Sequence, residues 1–380
     1  MSNKDYWWAK WLLLTILVMT INKSIAGGAK MDNALANVRL ESSHLDDGAY
    51  VNADPQVKQD MSKLGGIIKR FIFEKRIDPV PIKMPLSQID IKALDEHSKD
   101  AVYRLGHSSM LLKLNNQIWL TDPVFSERAS PVQWMGPKRF HAVPLELEGI
   151  KTIKGVVISH DHYDHLDKST IQLLKDRVEY FIVPLGVDKH LLDWGVPKEK
   201  IHVLDWWQEI TIDEIKFVAT PAQHFSGRGV FDGNETLWAS WVIKTSQHSL
   251  FFSGDSGYFD GFKLIGERYG PFDLTMMETG AYDKDWADIH MLPEQSVQAH
   301  LDLNGRVLMP IHNGTFDLAL HPWYEPFARL SKAATSHNIE IATPIMGEKV
   351  LFNQSRVNQR WWAGISQVVN ELRLPRPDQS

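Results

Sequence analysis

The chain has 380 residues, 43% of them hydrophobic and 23% charged, a balance that excludes a fibrous or disordered chain and allows a sizeable core. Its formal net charge of −6 speaks against a nucleic-acid partner, since holding a polyanion concentrates Lys and Arg on one face. Cysteine is absent, so disulfides, a thiolate nucleophile, Cys-bound zinc and a lipidated Cys are excluded, and any metal must be held by His and carboxylates.

In chain order, the first element is an apolar run from Trp11 to Ile21, preceded by Lys4 and Lys10 and followed by small residues at Ala26, Gly27 and Gly28. That is the layout of an export signal cleaved near Ala26. Lengthened by Trp7, Trp8 and Ala9 it reads instead as a retained membrane anchor, and a buried helix is the third reading. Residues 1–26 are therefore expected to be a signal peptide or membrane anchor, with the protein exported, periplasmic or membrane-anchored in a bacterial envelope. Residues 27–100 are polar and irregular, an N-terminal extension. Within it, Lys63 to Arg76 mixes Ile67, Ile68, Phe71 and Phe73 with Lys69, Arg70, Lys75 and Arg76. Such a stretch fits a helix packed on the main domain or one lying on a membrane surface.

From Ala101 the pattern becomes that of a layered α/β domain. Strands are expected over Met110 to Leu120, Gly155 to Ser159, Tyr180 to Pro184, Glu214 to Thr220, Trp238 to Thr245, Ser249 to Ser253, Val307 to Ile311 and Lys349 to Phe352. Helices fit between them at Lys168 to Arg177, Val187 to Trp194, Phe259 to Tyr269, Pro293 to Leu301 and Trp323 to Ser336. A single catalytic domain over residues 101–370 and a loose tail at 371–380 follow.

The chemistry lies directly after the apolar strand Gly155 to Ser159, where His160, Asp161, His162, Asp164 and His165 fall within six positions. Imidazole suits zinc and carboxylate neutralises its charge, so an H-x-H-x-D-H cluster at a strand end is a ready coordination shell. Other apolar runs also end on metal-capable residues: Phe217 to Thr220 leads to His224, Phe251 to Gly254 to Asp255, and Val307 to Ile311 to His312. Singly, these read as a surface His, a turn-forming Asp and a packed His. Together they point to strand ends converging on one site, as layered α/β folds allow.

On these residues the sequence resembles the metallo-β-lactamase fold hydrolases and, within them, the N-acyl-phosphatidylethanolamine-hydrolysing phospholipase D and its bacterial relatives, over roughly Tyr103 to Gly347. Supporting stretches include Leu120-Thr-Asp-Pro-Val-Phe-Ser126, Thr220-Pro-Ala-Gln-His224, Phe252-Ser-Gly-Asp-Ser-Gly-Tyr258 and Ile311-His-Asn-Gly-Thr-Phe316. The resemblance implies a four-layer αββα sandwich with the metals at one edge. It implies that His160, His162 and His224 hold one metal, that Asp164, His165 and His312 hold the other, and that Asp255 bridges them. Two zinc ions are expected, with iron or manganese compatible with the same shell.

Such a pair lowers the pKa of bound water toward about 7, so hydroxide is available without a separate base. The expected reaction is phospholipase D-type hydrolysis of N-acyl-phosphatidylethanolamine or a related phospholipid, with Asp164 and His290 as catalytic residues. A phospholipid or other small anionic ester is the expected partner, and a membrane surface a further one. Asp122, His107 and Asp167 are candidates to orient the ligands, each also readable as a cap or turn residue. Lys138, Arg139 and Asn313 are candidates for substrate binding. Two departures are visible: Asn313 stands where the phospholipase has a tryptophan, and Met276-Met277-Glu278-Thr279-Gly280 replaces a more neutral run. They leave open a lactone, β-lactam or small-ester hydrolase on the same metals, and a non-catalytic envelope protein retaining the fold.

Overall fold

The computed structural model describes residues 44–54, 57, 64–95, 99–229, 231–352 and 360–365. The expected signal or anchor at residues 1–26 and the tail at 371–380 lie outside these. The described chain begins with a hairpin, β1 (His44–Asp46) and β2 (Ala49–Val51), then helices α1 (Leu64–Phe73) and α2 (Ile91–Asp95). The first half of the main domain holds β3 (Ala101–Gly106), β4 (Ser109–Leu114), β5 (Gln117–Thr121), β6 (Ile153–Val157), α3 (Lys168–Leu174), β7 (Val178–Pro184), α4 (Asp188–Asp193) and β8 (Ile201–Leu204). The second half runs through β9 (Glu209–Ile212), β10 (Ile215–Thr220), β11 (Ser240–Lys244), β12 (Ser249–Phe252), α5 (Gly261–Tyr269) and β13 (Phe272–Glu278). It ends with α6 (Pro293–Asp302), β14 (Gly305–Ile311), α7 (Glu325–Ser336), β15 (Glu340–Ile341) and β16 (Lys349–Leu351).

These strands form two seven-stranded sheets, ordered β16-β3-β4-β5-β6-β7-β8 and β15-β14-β13-β12-β11-β10-β9. Each sheet has an antiparallel half and a parallel half, with the change at β5 in the first and β12 in the second. Alternation along the strands sorts side chains into three apolar layers. Val157, Leu112 and Trp119 of the first sheet meet Phe217, Trp241, Phe252, Met276 and Met309 of the second in a central core. Their sequence neighbours Val156, Leu111 and Leu120 turn outward to Ile171, Leu174 and Leu191 on α3 and α4. Val218, Phe251, Met277 and Leu308 likewise turn outward to Phe262, Val297 and Leu330 on α5, α6 and α7. The result is the four-layer αββα sandwich.

Several elements differ from the sequence reading for local reasons. Met110 to Leu120 is not one strand: Asn115 and Asn116 take positive φ of 49° and 62°, the backbone of a tight hairpin turn, and split it into β4 and β5. Glu214 belongs to a similar turn, with Asp213 and Glu214 at φ 45° and 68°, so β10 starts at Ile215. The strand Phe272–Glu278, unforeseen in the sequence, lies between β12 and β14 in the parallel half.

The extension is laid against the main domain. Arg70 on α1 binds Asp283 at 2.6 Å and Asp285 at 2.5 Å, and Phe71 stacks on Trp286 at 6.2 Å between ring centroids. Ile67 and Phe71 are buried, whereas Phe73 remains 76% exposed. The packed-helix reading of this stretch is the one the structure adopts. Among the described residues no helix is long and apolar enough to cross a membrane.

Candidate metal centre

The C-terminal ends of strands from both sheets deliver the candidate ligands to one place. β6 leads to the His160–His165 loop, β10 to His224, β12 to Asp255 and β14 to His312. The chain must turn sharply there, and it does so in left-handed backbone at His107, Asp122 and His312, with φ of 52°, 36° and 61°. Such conformations are costly for residues other than glycine and are held only where surrounding contacts over-determine them. Gly254, at φ +54°, has the same need; a Cβ there would sit 2.5 Å from Ser159 Cβ.

Two ligand groups face each other. In the first, His160 Nε2 lies 2.8 Å from His162 Nδ1, which is 3.3 Å from His224 Nε2. In the second, Asp164 Oδ2 lies 3.3 Å from His312 Nε2 and 3.6 Å from His165 Nε2. Asp255 joins them: its Oδ1 is 3.2 Å from His165 Nε2, and its Oδ2 is 2.9 Å from His312 Nε2, 3.8 Å from His224 Nε2 and 3.9 Å from His160 Nε2. All seven residues named from the sequence therefore share one site.

The hydrogen bonds behind the rings fix their tautomers. His165 Nδ1 donates to Asp122 Oδ2 at 2.6 Å, and Ser159 Oγ donates to the same oxygen at 2.5 Å. Ser159 Oγ thus accepts from His160 Nδ1 at 2.9 Å, while His224 Nδ1 donates to the Ile289 carbonyl at 3.0 Å. Each bond leaves an Nε2 lone pair turned inward, as a metal ligand requires. Three imidazole nitrogens converge at 2.8–3.3 Å, where a single ring proton on His162 can be shared or a cation can take its place. The buried atoms His165 Nε2 and Asp255 Oδ1 face each other at 3.2 Å outside good hydrogen-bond geometry. This donor set fits divalent cations.

The electrostatics divide along the same line. Burial holds His160 and His224 well below the usual imidazole range and His162 down at about 4, so the first group is neutral and ready to ligate. Burial also opposes charge on His165 and His312, but Asp255 and Asp164 prevail, raising His165 and lifting His312 to about 10. Protons on these two rings offset the carboxylates where cations would otherwise do so.

The remaining sequence candidates divide. Asp122 orients His165 directly and His160 through Ser159. His107 Nε2 binds Asp164 Oδ2 at 2.9 Å, and its ring packs 4.0 Å from that of His312. His290 meets His224 edge-on at 5.1 Å and lies tilted against His312 at 5.4 Å between centroids. Asp167 does not orient a ligand: it caps α3 through Ser169 N–H and accepts from Ser126 N–H at 2.9 Å, clamping a neighbouring loop. Lys138 is exposed and pairs with Glu127 at 2.5 Å on the surface. Arg139 donates to the Ser126 and Val124 carbonyls at 3.1 and 2.7 Å, a loop-bracing role. Asn313 lines a cavity beside His312 with Phe140, Phe316, His321 and Trp323, but its amide is spent. It accepts from Arg104 Nη2 at 2.5 Å and donates to the Ile311 carbonyl at 2.7 Å.

Two residues of the site escaped the sequence reading, and a third was seen there only as part of a departure from the phospholipase pattern. Ser159 was visible only as a strand end. Asn52, from the extension, grips the backbone of His224 on both sides, donating to its carbonyl at 2.8 Å and accepting from its N–H at 2.9 Å. Glu278, fully buried at the end of β13, bonds His290 Nδ1 and accepts from Ser256 N–H at 2.7 Å. Its signal in the sequence was its place in Met276-Met277-Glu278-Thr279-Gly280, the run that departs from the phospholipase.

Comparison with known proteins agrees with this geometry. A family profile described as "Beta-lactamase superfamily domain" matches residues 118–313. An uncharacterized protein of Mycobacterium tuberculosis is 42% identical over 331 residues, 86% of this chain and 88% of the relative. N-acyl-phosphatidylethanolamine-hydrolyzing phospholipase D 1 of Caenorhabditis elegans is 34% identical over 259 residues, 64% of this chain and 72% of the relative. Among solved structures, isothiocyanate hydrolase from Delia radicum gut bacteria aligns with a TM-score of 0.54 at 19% identity, over 66% of this chain and 98% of that one. That last likeness is one of fold.

Proposed function

Since the chain belongs to the metallo-β-lactamase superfamily of metal-dependent hydrolases, we propose that its substrate is a phospholipid phosphodiester, N-acyl-phosphatidylethanolamine or a close relative. The observation that carries this reading is the joining of two complete ligand groups by Asp255, in a chain 34% identical over 259 residues to a phospholipase of that name. His160, His162 and His224 would hold one cation and Asp164, His165 and His312 the other, with zinc the best match to the donors and iron or manganese next. When bound, such a pair supplies a water of lowered pKa and positive charge toward a phosphoryl oxygen.

The protein's own groups then divide the work. Asp164 keeps 16% side-chain exposure and would orient the attacking water by accepting its hydrogen. His290, 13% exposed and tilted against His312 at 5.4 Å between ring centroids, would protonate the departing oxygen. The cavity beside His312 is small and mixed in lining, with Asn313, Asp317 and His321 beside Phe140, Phe316 and Trp323, so a lipid chain would have to lie outside it. An apolar N-terminal run from Trp11 to Ile21 and the exposed Phe73 support a protein exported to the bacterial envelope and working at a membrane surface.

Purified protein mixed with several phospholipids, with and without chelator, is the test, read by lipid mass spectrometry. Chelator-sensitive release of phosphatidic acid is expected; its absence overturns the assignment. A second reading, hydrolysis of lactones, β-lactams or small esters, is favoured by Asn313 and Glu278, which depart from the phospholipase pattern beside His312. Chromogenic esters and a chromogenic β-lactam separate the two.

A further inference from the structure

Glu278 is fully buried at the C-terminal end of β13, and every polar atom it carries is committed. Its Oε2 accepts from Ser256 N–H at 2.7 Å, one residue beyond Asp255, and its Oε1 accepts from His290 Nδ1. Its own N–H donates to Ser253 Oγ at 2.8 Å, and its carbonyl accepts from Ser296 Oγ at 2.5 Å. The carboxylate is thus bolted to the strand end that carries Asp255 and to the start of α6. Burying a carboxylate is costly unless it is fully hydrogen-bonded, so a site retains one only where its contacts are complete. Among the described residues His290 Nε2 has no protein partner, and the ring keeps 13% exposure while resting against His224 and His312.

We propose that Glu278 is a positioning residue that holds His290 in one tautomer and one orientation, so that Nε2 delivers the proton to the leaving oxygen. A carboxylate on Nδ1–H fixes the ring as a carboxylate fixes the histidine of a hydrolytic triad. The inference rests on the hydrolase reading above. In the step itself the bond from phosphorus to the leaving oxygen breaks and that oxygen takes the Nε2 proton. The imidazole is left neutral with its Nδ1–H still on Glu278, the water oxygen becomes bonded to phosphorus, and a proton lost from that water restores Nε2.

The test compares Glu278→Gln and His290→Gln with the parent, as zinc-loaded protein, on paired esters with aryl and alkyl leaving groups. An aryloxide departs without a proton and an alkoxide needs one. For Glu278→Gln the loss in kcat on the alkyl ester should exceed that on the aryl ester by about 100-fold, the scale of general-acid catalysis. In the His290→Gln background the same substitution should add nothing. Metal content, read by elemental analysis, should stay at the parent value. Equal losses on both esters, additivity with His290→Gln, or loss of zinc would each overturn the proposal. Cleavage of carboxylic esters in place of phosphodiesters would sink the lipid assignment, while the Glu278 comparison would run unchanged on aryl and alkyl carboxylic esters. Inactivity of the parent on every ester would overturn both.

Discussion

Asp122 Oδ2 lies 2.6 Å from His165 Nδ1, and neither side chain has any exposure. The same carboxylate takes Ser159 N–H on its other oxygen at 2.7 Å, so one residue at the end of β5 sets the posture of ligands from both groups. Asp122→Asn preserves the shape and removes the charge. Zinc affinity should fall about 10- to 100-fold, the usual cost of losing such a partner. A competition titration against a coloured chelator measures this, and an unchanged affinity would contradict the role given to Asp122.

Metal removal should cost stability as well as activity. Cations that bind only the folded chain add about 2.7 kcal/mol at a free concentration 100 times their Kd. Calorimetry before and after dialysis against chelator should show a lower Tm in the stripped protein, reversed by zinc. The same Tm in both preparations would mean that the histidine cluster holds nothing.

Asn52→Ala tests the reach of the N-terminal extension. Its amide satisfies both the buried N–H and the carbonyl of His224, and leaving such groups unpaired costs about 1–3 kcal/mol each. Urea unfolding should register a loss of about 2 kcal/mol or more. A change below about 0.5 kcal/mol, the size of an ordinary surface substitution, would show that water replaces the amide.

Gly254→Ala should damage the centre without touching a ligand. The added methyl would lie 2.5 Å from Ser159 Cβ, in backbone at φ +54° that already disfavours a side chain. Left-handed backbone alone costs about 1–2 kcal/mol, and relief of the clash must move Ser159 off His160. Thermal unfolding and zinc per chain should both fall. Normal zinc content with a lowered Tm would separate strain from ligand orientation.

Much of the centre was readable because its ligands follow apolar strands, and apolar runs ending in His or Asp are visible without coordinates. His160, His162, Asp164 and His165 sit within six positions, where a solvated turn has no use for so much imidazole. What stayed hidden depends on contacts distant in sequence. Asn52 meets His224 across 172 residues, and nothing in its neighbourhood marks it as anything but polar loop. Glu278 was visible only as part of a departure from the phospholipase, because Phe272–Glu278, which follows Gly270-Pro271, was not recognised as a strand. Asp167 misled for the opposite reason: proximity in sequence to metal-capable residues says nothing about the side a side chain faces, and this one caps a helix. The split at Asn115-Asn116 was legible in principle, since paired Asn suits a left-handed turn, but the apolar run on either side masked it.

The pairing of Lys349–Leu351 with Ala101–Tyr103 has a consequence for biosynthesis. Strand β3 is made early, yet its outer hydrogen-bonding edge stays bare until the ribosome has added roughly 250 more residues, on the order of ten to fifty seconds at ordinary translation rates. Throughout that interval the nascent chain displays an unpaired strand, the feature most prone to joining a neighbour. A chaperone that shields β3 during synthesis should therefore improve the yield of soluble protein more than one that acts after release.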